Sequence, residues 1–417
     1  MTQTSELAPV TGAERIQALD AIRGFALLGI LLMNIEGMVG PLMASMTGLN
    51  PALSGADRWV DGAIYLLVQG KFFPLFSMLF GMGFAIMLAR AQAAGRPFFG
   101  VYLRRVLALL VIGLLHALLV WSGDILVTYA LMGLLLLLFF RNTPQSRLPK
   151  WGIALILLPA VFTLGLGLLG TALQSLPEEA SAEFNRALAE QSQQMAALVQ
   201  AQREAYGSGG FAEATAQRLD DFLSMMGFLV IYGAFILGLF LVGAWFARSG
   251  AIARPAEHAR LFTRLRWVAL PVGLAMVLVS FWLEPTMDFG RLDLRASTAQ
   301  VLQMLGGAVM AVSYLAWVVH GLHSAAAGRL LGLLGPAGRM ALTNYLLQSL
   351  VATFIFFGYG LGYFEQLPRA WQPVYVFGFF ALQVALSHWW MARFRFGPAE
   401  WAWRAATYLS LPPMRRG

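Results

Sequence analysis

Residues Leu103–Phe140 read LRRVLALLVIGLLHALLVWSGDILVTYALMGLLLLLFF. Two apolar runs, 103–121 and 124–140, approach the ~20 residues a helix needs to cross a hydrocarbon core ~30 Å thick. Backbone in lipid must satisfy its own hydrogen bonds, so each run is read as a helix. They meet at Trp121-Ser122-Gly123-Asp124, a tight turn that sends the second helix back beside the first. Asp124 opens that second helix at the N-cap, where a short carboxylate is stabilising. His116 lies before Trp121 in the first helix, about one and a half turns below the turn. The turn therefore lets Asp124 and His116 meet, and a carboxylate that orients a His is a usual general-base arrangement. An ordinary cap and a hydrogen-bonded membrane His are the plainer readings of the same two residues.

The same signal recurs along the chain. Ten apolar runs stand near 22–41, 72–90, 103–121, 124–140, 151–173, 222–246, 265–283, 298–320, 334–358 and 373–392. Composition agrees: 59% of the 417 residues are hydrophobic and only 12% charged, against roughly 25% charged in soluble domains. That imbalance excludes a soluble core and intrinsic disorder. The expected fold class is all-α, a polytopic integral membrane protein with about ten transmembrane helices. The absence of Cys excludes disulfides, thiolate metal sites and a Cys nucleophile. His258, His320, His323 and His388 show no metal-ligand spacing, so no metal is expected.

Loop charge orients the spans. With both termini inside, 21 of the 29 Lys and Arg and 5 of the 21 Asp and Glu fall on the inner side. Arg90, Arg96, Arg104 and Arg105 form one inner group; Arg248, Arg254, Arg260, Arg264 and Arg266 form another. The net charge of +8 therefore belongs to a cytoplasmic face, and no nucleic-acid partner is expected.

The chain divides into an N-terminal five-helix half (1–173), an outer hydrophilic insertion (174–221) and a C-terminal five-helix half (222–417). Phe184, Leu188, Met195 and Leu198 recur at near-helical spacing, so 178–204 reads as a surface helix that Gly207-Ser208-Gly209-Gly210 ends. Residues 57–70 read as an outer interfacial helix, and Trp401, Trp403 and Tyr408 beside Arg404 as an interfacial anchor. No sequence repeat links the halves, which weighs against an inverted-repeat transporter. Small-residue faces suit a homodimer.

Ionisable or amide residues at membrane depth are candidate site residues because placing them there is costly. Arg23 and Asn34 are three helical turns apart and share a stripe, and Glu36 lies deeper in the same run. Arg23 and Lys71 read either as snorkelling edge residues or as binding residues. Arg339, Asn344 and Gln348 enter the ninth run from the inner side, with Asn344 and Gln348 on one face. That face suits a lined cavity or a helix contact.

Several motifs resemble the YeiB-like family of bacterial membrane proteins. They are Asp20-Ala21-Ile22-Arg23-Gly24-Phe25, Lys71-Phe72 with Leu75-Phe76-Ser77-Met78-Leu79-Phe80-Gly81, Trp121-Ser122-Gly123-Asp124, Gly338-Arg339-Met340-Ala341-Leu342-Thr343-Asn344-Tyr345 and Gly397-Pro398-Ala399-Glu400-Trp401. The family's C-terminal half is a domain of unknown function; the resemblance implies a multi-pass protein of the bacterial cytoplasmic (inner) membrane. Asp20 and Arg23-Gly24 followed by Asn34 are distantly similar to the first span of heparan-α-glucosaminide N-acetyltransferase, a transmembrane acyltransferase that takes acetyl groups from cytosolic acetyl-CoA. Its Asn carries over to Asn34, whereas its catalytic His falls near Ser45, and no His lies between Asn34 and Lys71.

The resemblance thus implies acyl transfer from acyl-CoA or acetyl-CoA to a small-molecule or glycan acceptor on the far side of the membrane. His116 or Asp124 is expected to act as base and Asn34 to stabilise the oxyanion. Arg23, Arg104, Arg105 and Arg339 suit the CoA phosphates, and Glu36, Lys71, Asn344 and Gln348 line the remaining path. A transporter or flippase of a small metabolite or lipid uses the same polar track.

Overall fold

The computed structural model describes residues 17–416. Regular structure among them is helical only. The first helix, α1, is Gln17–Asn34; α2 is Gly55–Leu67, α3 Phe72–Ala93 and α4 Phe99–Leu119. After the quoted turn, α5 is Leu126–Leu135, continued by a π turn over Leu136–Phe140. Then come α6 Leu148–Gln174, α7 Glu178–Gly207 and α8 Phe211–Arg248. Beyond it, with short helical segments such as Ala259–Arg264 and Ala325–Gly332 between them, stand α9 Leu270–Leu283, α10 Leu294–Leu322, α11 Gly335–Arg339, α12 Ala341–Phe356, α13 Gln372–Arg393 and α14 Pro398–Tyr408.

Six helices among the described residues are long and apolar enough to cross a membrane, or seven if the bent pair Phe211–Gly227 and Tyr232–Arg248 is one span. Leu126–Phe140 and Ala341–Phe356 are shorter apolar helices. The outward faces of α6, α9 and α13 present Leu158, Val161, Phe162, Trp282, Val374 and Phe377, exposed apolar side chains that water would penalise and lipid covers.

Close packing inside follows from small residues. At the α3–α8 crossing, Gly81 lies against the Phe240 carbonyl and Gly243 against the Met78 carbonyl, leaving no room for a Cβ at either. One turn away, Ser77 Oγ shares a 2.8 Å hydrogen bond with Tyr129 Oη on α5. Ile22, Leu27, Leu75, Met78, Phe235 and Phe240 fill the centre between α1, α3 and α8.

Loops gather at two ends. At one, Trp121 Nε1 donates to the Gly37 carbonyl (3.1 Å), Ser122 Oγ to Asp221 (3.0 Å), and Met43 N to Gln202 (3.0 Å). The Gly358 amide meets the Tyr206 carbonyl at the same end (2.8 Å). At the other, Arg104 Nε donates to the Thr407 carbonyl (3.0 Å) and Arg248 Nη1 to the Thr143 carbonyl (2.7 Å). The expected 178–204 helix is present as α7 and stops at Gly207.

Two expected spans are broken. The run 22–41 is helical only to Asn34; Glu36–Val39 and Leu42–Ser45 follow as separate turns, parted at Gly40-Pro41, where Pro supplies no amide to continue the first of them. Glu36 therefore lies past the end of α1. The run 334–358 splits at Met340 into α11 and α12. A third reading also changes: the indole N–H groups of Trp401 and Trp403 are taken by the carbonyls of Pro412 and Arg105 (both 2.8 Å), which docks α14 onto α4.

Candidate functional site

The tight turn does bring His116 and Asp124 together. His116 Nδ1 lies 2.9 Å from Asp124 Oδ1, and both side chains are buried, 2% and 1% exposed. Asp124 Oδ2 accepts the Val127 amide at 2.9 Å, so the residue is both helix cap and His partner. An ionised carboxylate only accepts, so Nδ1 is the donor of this pair, and with a single ring proton Nε2 is left as an acceptor. Nε2 is buried and finds no hydrogen-bond partner among the described residues. The Tyr345 ring from α12 lies 5.2 Å from the imidazole, centroid to centroid. The Trp121–Gly37 hydrogen bond brings the chain just beyond Asn34 to the same turn. Asn34 is the last residue of α1 and is half-buried.

The other candidate residues are distributed over both ends. Arg23 pairs with Asp20 at 3.0 Å one turn earlier on α1. Arg104 holds the Thr407 carbonyl, and the Arg105 guanidinium lies 3.7 Å over the Trp403 ring, so both grip α14. Arg339 Nη2 reaches the Arg395 carbonyl at 3.4 Å. Lys71 turns inward: it is fully buried, and Nζ donates to the carbonyls of Tyr65 and Gln69, both at 2.7 Å. It closes the C-terminal end of α2, where carbonyls lack helical donors. Asn344 Nδ2 donates to the Ala337 carbonyl (3.1 Å) and Ser387 Oγ (3.0 Å), and Gln348 Nε2 to Gln383 Oε1 (2.8 Å). Gln383 returns a bond to the Asn344 carbonyl (3.0 Å), so these amides tie α12 to α13. Glu36 meets Arg369 Nη2 at 2.8 Å. No group of three or more His, Asp or Glu among the described residues is disposed to hold a metal ion.

Three buried polar centres were not singled out from the sequence. Arg369 lies between Glu36 and Asp61, with Nε 2.9 Å from Asp61 Oδ1 and Nη1 2.7 Å from Gln372. Asp221 is fully buried and accepts from Ser122 (3.0 Å), Tyr206 (2.6 Å), Gln202 (2.8 Å) and Gln217 (2.8 Å). That hub pins the 174–221 segment onto the turn beside Asp124. Glu400 accepts the Leu342 amide (2.6 Å), the Thr343 amide (3.2 Å) and Thr343 Oγ1 (2.6 Å), capping α12. Burial pushes the Glu400 carboxyl above its ordinary range, against the Thr343 hydroxyl and the two amides, which favour ionisation. The two most specific motifs, around Gly338 and Gly397, are thus one junction. Gly338 also lies against the Asp20 carbonyl and Gly24 amide of α1, where a Cβ would collide. The Glu400 motif is visible in the sequence; which distant groups it meets is not.

Described residues that are helical throughout their regular structure, with six or seven long apolar helices packed through glycine crossings, define a polytopic membrane protein. Residues 246–410 match a family described as "Protein of unknown function (DUF418)". The uncharacterized protein YxaH of Bacillus subtilis (strain 168) is 33% identical over 99% of this chain and 99% of its own. The uncharacterized protein YeiB of Escherichia coli (strain K12) is 31% identical over 96% of this chain and 98% of its own. The chain belongs to the YeiB-like family.

Proposed function

We propose that this protein is a transmembrane acyltransferase that moves an acyl group from cytoplasmic acyl-CoA or acetyl-CoA to a small-molecule or glycan acceptor at the outer side of the membrane. The observation that carries the reading is the buried His116–Asp124 pair with its open Nε2 acceptor. A His held in one tautomer by a carboxylate takes a proton from a nucleophile as that nucleophile attacks the thioester carbonyl. Asn34 is the oxyanion donor of this reading, and Arg23 and Arg339 supply charge for the CoA phosphates. Arg104 and Arg105, engaged with α14, shape that end of the path rather than form its centre.

The setting is the bacterial cytoplasmic membrane, with ten spans, both termini inside and lipid around the outward faces. The ten comprise the seven long apolar units, the two shorter apolar helices and α1. Loop charge supports the orientation, and so do the two separate loop clusters, because the ties at each end join segments of one sign class. A homodimer through exposed small-residue faces fits the same reading.

The test uses purified protein in nanodiscs. Acetyl-CoA is expected to raise the thermal midpoint, and His116→Ala to retain that shift while losing transfer of labelled acetyl to added acceptor. No stabilisation by any acyl-CoA, combined with substrate counterflow in proteoliposomes, would replace the enzyme with a transporter or flippase.

A further inference from the structure

Two packed rings at the His116–Asp124 pair each carry a buried polar atom without a hydrogen-bond partner among the described residues. One is His116 Nε2; the other is the Tyr345 hydroxyl. Buried polar atoms left open are costly, and each calls for a reason, a catalytic or binding role among them. The rings that carry them are 5.2 Å apart. Their hydrogen-bonding characters differ. With Nδ1 donating to Asp124, Nε2 only accepts; the Tyr345 hydroxyl has its proton to give.

We propose that His116 and Tyr345 form the acceptor subsite and that the acceptor nucleophile is an alcohol, so that the product is an ester rather than an amide. The proposal rests on the acyl-transfer reading of the same pair. A hydroxyl donates its one proton to Nε2, accepts from Tyr345 on one lone pair and attacks with the other. A neutral amine has a single lone pair; if Tyr345 occupies it, nothing is left for attack. An ammonium has none. In the reaction the alcohol oxygen forms a bond to the thioester carbonyl carbon, and its proton passes to Nε2, giving an imidazolium beside Asp124. The C–S bond then breaks, and the departing thiolate takes the proton from Nε2 and leaves as CoA thiol. Tyr345 touches the acceptor oxygen throughout and fixes its orientation.

One probe carries both nucleophiles: n-octyl 2-amino-2-deoxy-β-D-glucopyranoside, offered with labelled acetyl-CoA to the protein in nanodiscs and quenched in acid. Mass spectrometry is expected to show the O-acetyl product, and Tyr345→Phe to lower its yield on the order of 100-fold with the acetyl-CoA thermal shift intact. The N-acetyl product, or an unchanged yield in Tyr345→Phe, overturns the proposal. A second reading needs no turnover. In protein labelled with ¹⁵N-His, n-octyl β-D-glucopyranoside is expected to shift the His116 Nε2 resonance toward the hydrogen-bonded acceptor value, and Tyr345→Phe to weaken that shift. The Nε2 shift without any acetyl product keeps the alcohol subsite and removes acyl transfer. Neither shift nor product removes both.

Discussion

Asp61 and Arg369 stand 308 positions apart in the chain and form a buried ion pair with Arg369 Nε 2.9 Å from Asp61 Oδ1. Glu36 takes Nη2 of the same guanidinium at 2.8 Å, so one Arg draws the segment after α1, helix α2 and the start of α13 together. Removing the cation alone leaves two carboxylates in a poorly solvated place. Arg369→Met is expected to cost about 3–5 kcal/mol of stability, read as a drop in the thermal midpoint in nanodiscs. The triple variant with Glu36→Gln and Asp61→Asn should recover most of the loss, since apolar or neutral replacement of a whole buried network is often tolerated. An unchanged midpoint in Arg369→Met would mean the network is dispensable.

Asp221 acts in the same way on the 174–221 segment. Asp221→Ala leaves Ser122, Tyr206, Gln202 and Gln217 without their common acceptor. A loss of roughly 3 kcal/mol is expected, together with new protease cleavage between α7 and α8, around Gly207-Ser208-Gly209-Gly210. Resistance equal to the parent protein would show that apolar contacts alone hold the hairpin down.

At the His116–Asp124 pair, the acyl-transfer reading expects stability and activity to separate. Asn at position 124 still accepts the Val127 amide, so Asp124→Asn is expected to leave the thermal midpoint nearly unchanged. Its side-chain amide would instead donate to Nδ1, moving the ring proton to Nε2 and removing the base. By the precedent of Asp-to-Asn changes in catalytic triads, transfer should fall about 10⁴-fold. Activity within tenfold of the parent would argue against His116 as base.

The crossing of α1 and α11 has no space for a methyl group. Gly338→Ala would press a Cβ into the Asp20 carbonyl, and is expected to abolish stable expression. Gly378→Ala, where a Cβ meets nothing within 4 Å, is the matched control and should express normally. Fluorescence-detected size-exclusion profiles of the two variants compare them directly.

Glu400 adds a pH dependence. Its carboxyl is held above the ordinary value of 4.5 by burial, so the folded state binds the proton more tightly than the unfolded one. The stabilisation this supplies is complete below the ordinary value and is lost as pH rises through the elevated one. Thermal midpoints should therefore fall over that window in the parent protein, and Glu400→Gln should flatten this component. Parallel curves for the two would remove Glu400 as its source.

The parts of this protein that were legible from the chain are those written by local periodicity. Most apolar runs became helices within a few residues of their expected bounds, because lipid leaves a spanning backbone little alternative. His116 and Asp124 were also legible, since an abrupt turn links them. Asn344 and Gln348 were recognised as a polar face, but their partners Ser387 and Gln383 lie on another helix. Asp221 was one of eight acids in a hydrophilic segment, with no local mark of its burial.

By itself, then, the sequence determined the class and most of the long apolar helices. Each rests on composition and on spacing within about twenty residues. Tertiary structure decided which polar residues are structural and which stay open. Lys71, Glu36, Arg104 and Arg105 found partners within the fold, whereas His116 Nε2 did not. The reason is that a buried polar atom is defined by the atoms facing it, and those arrive from helices up to hundreds of residues away.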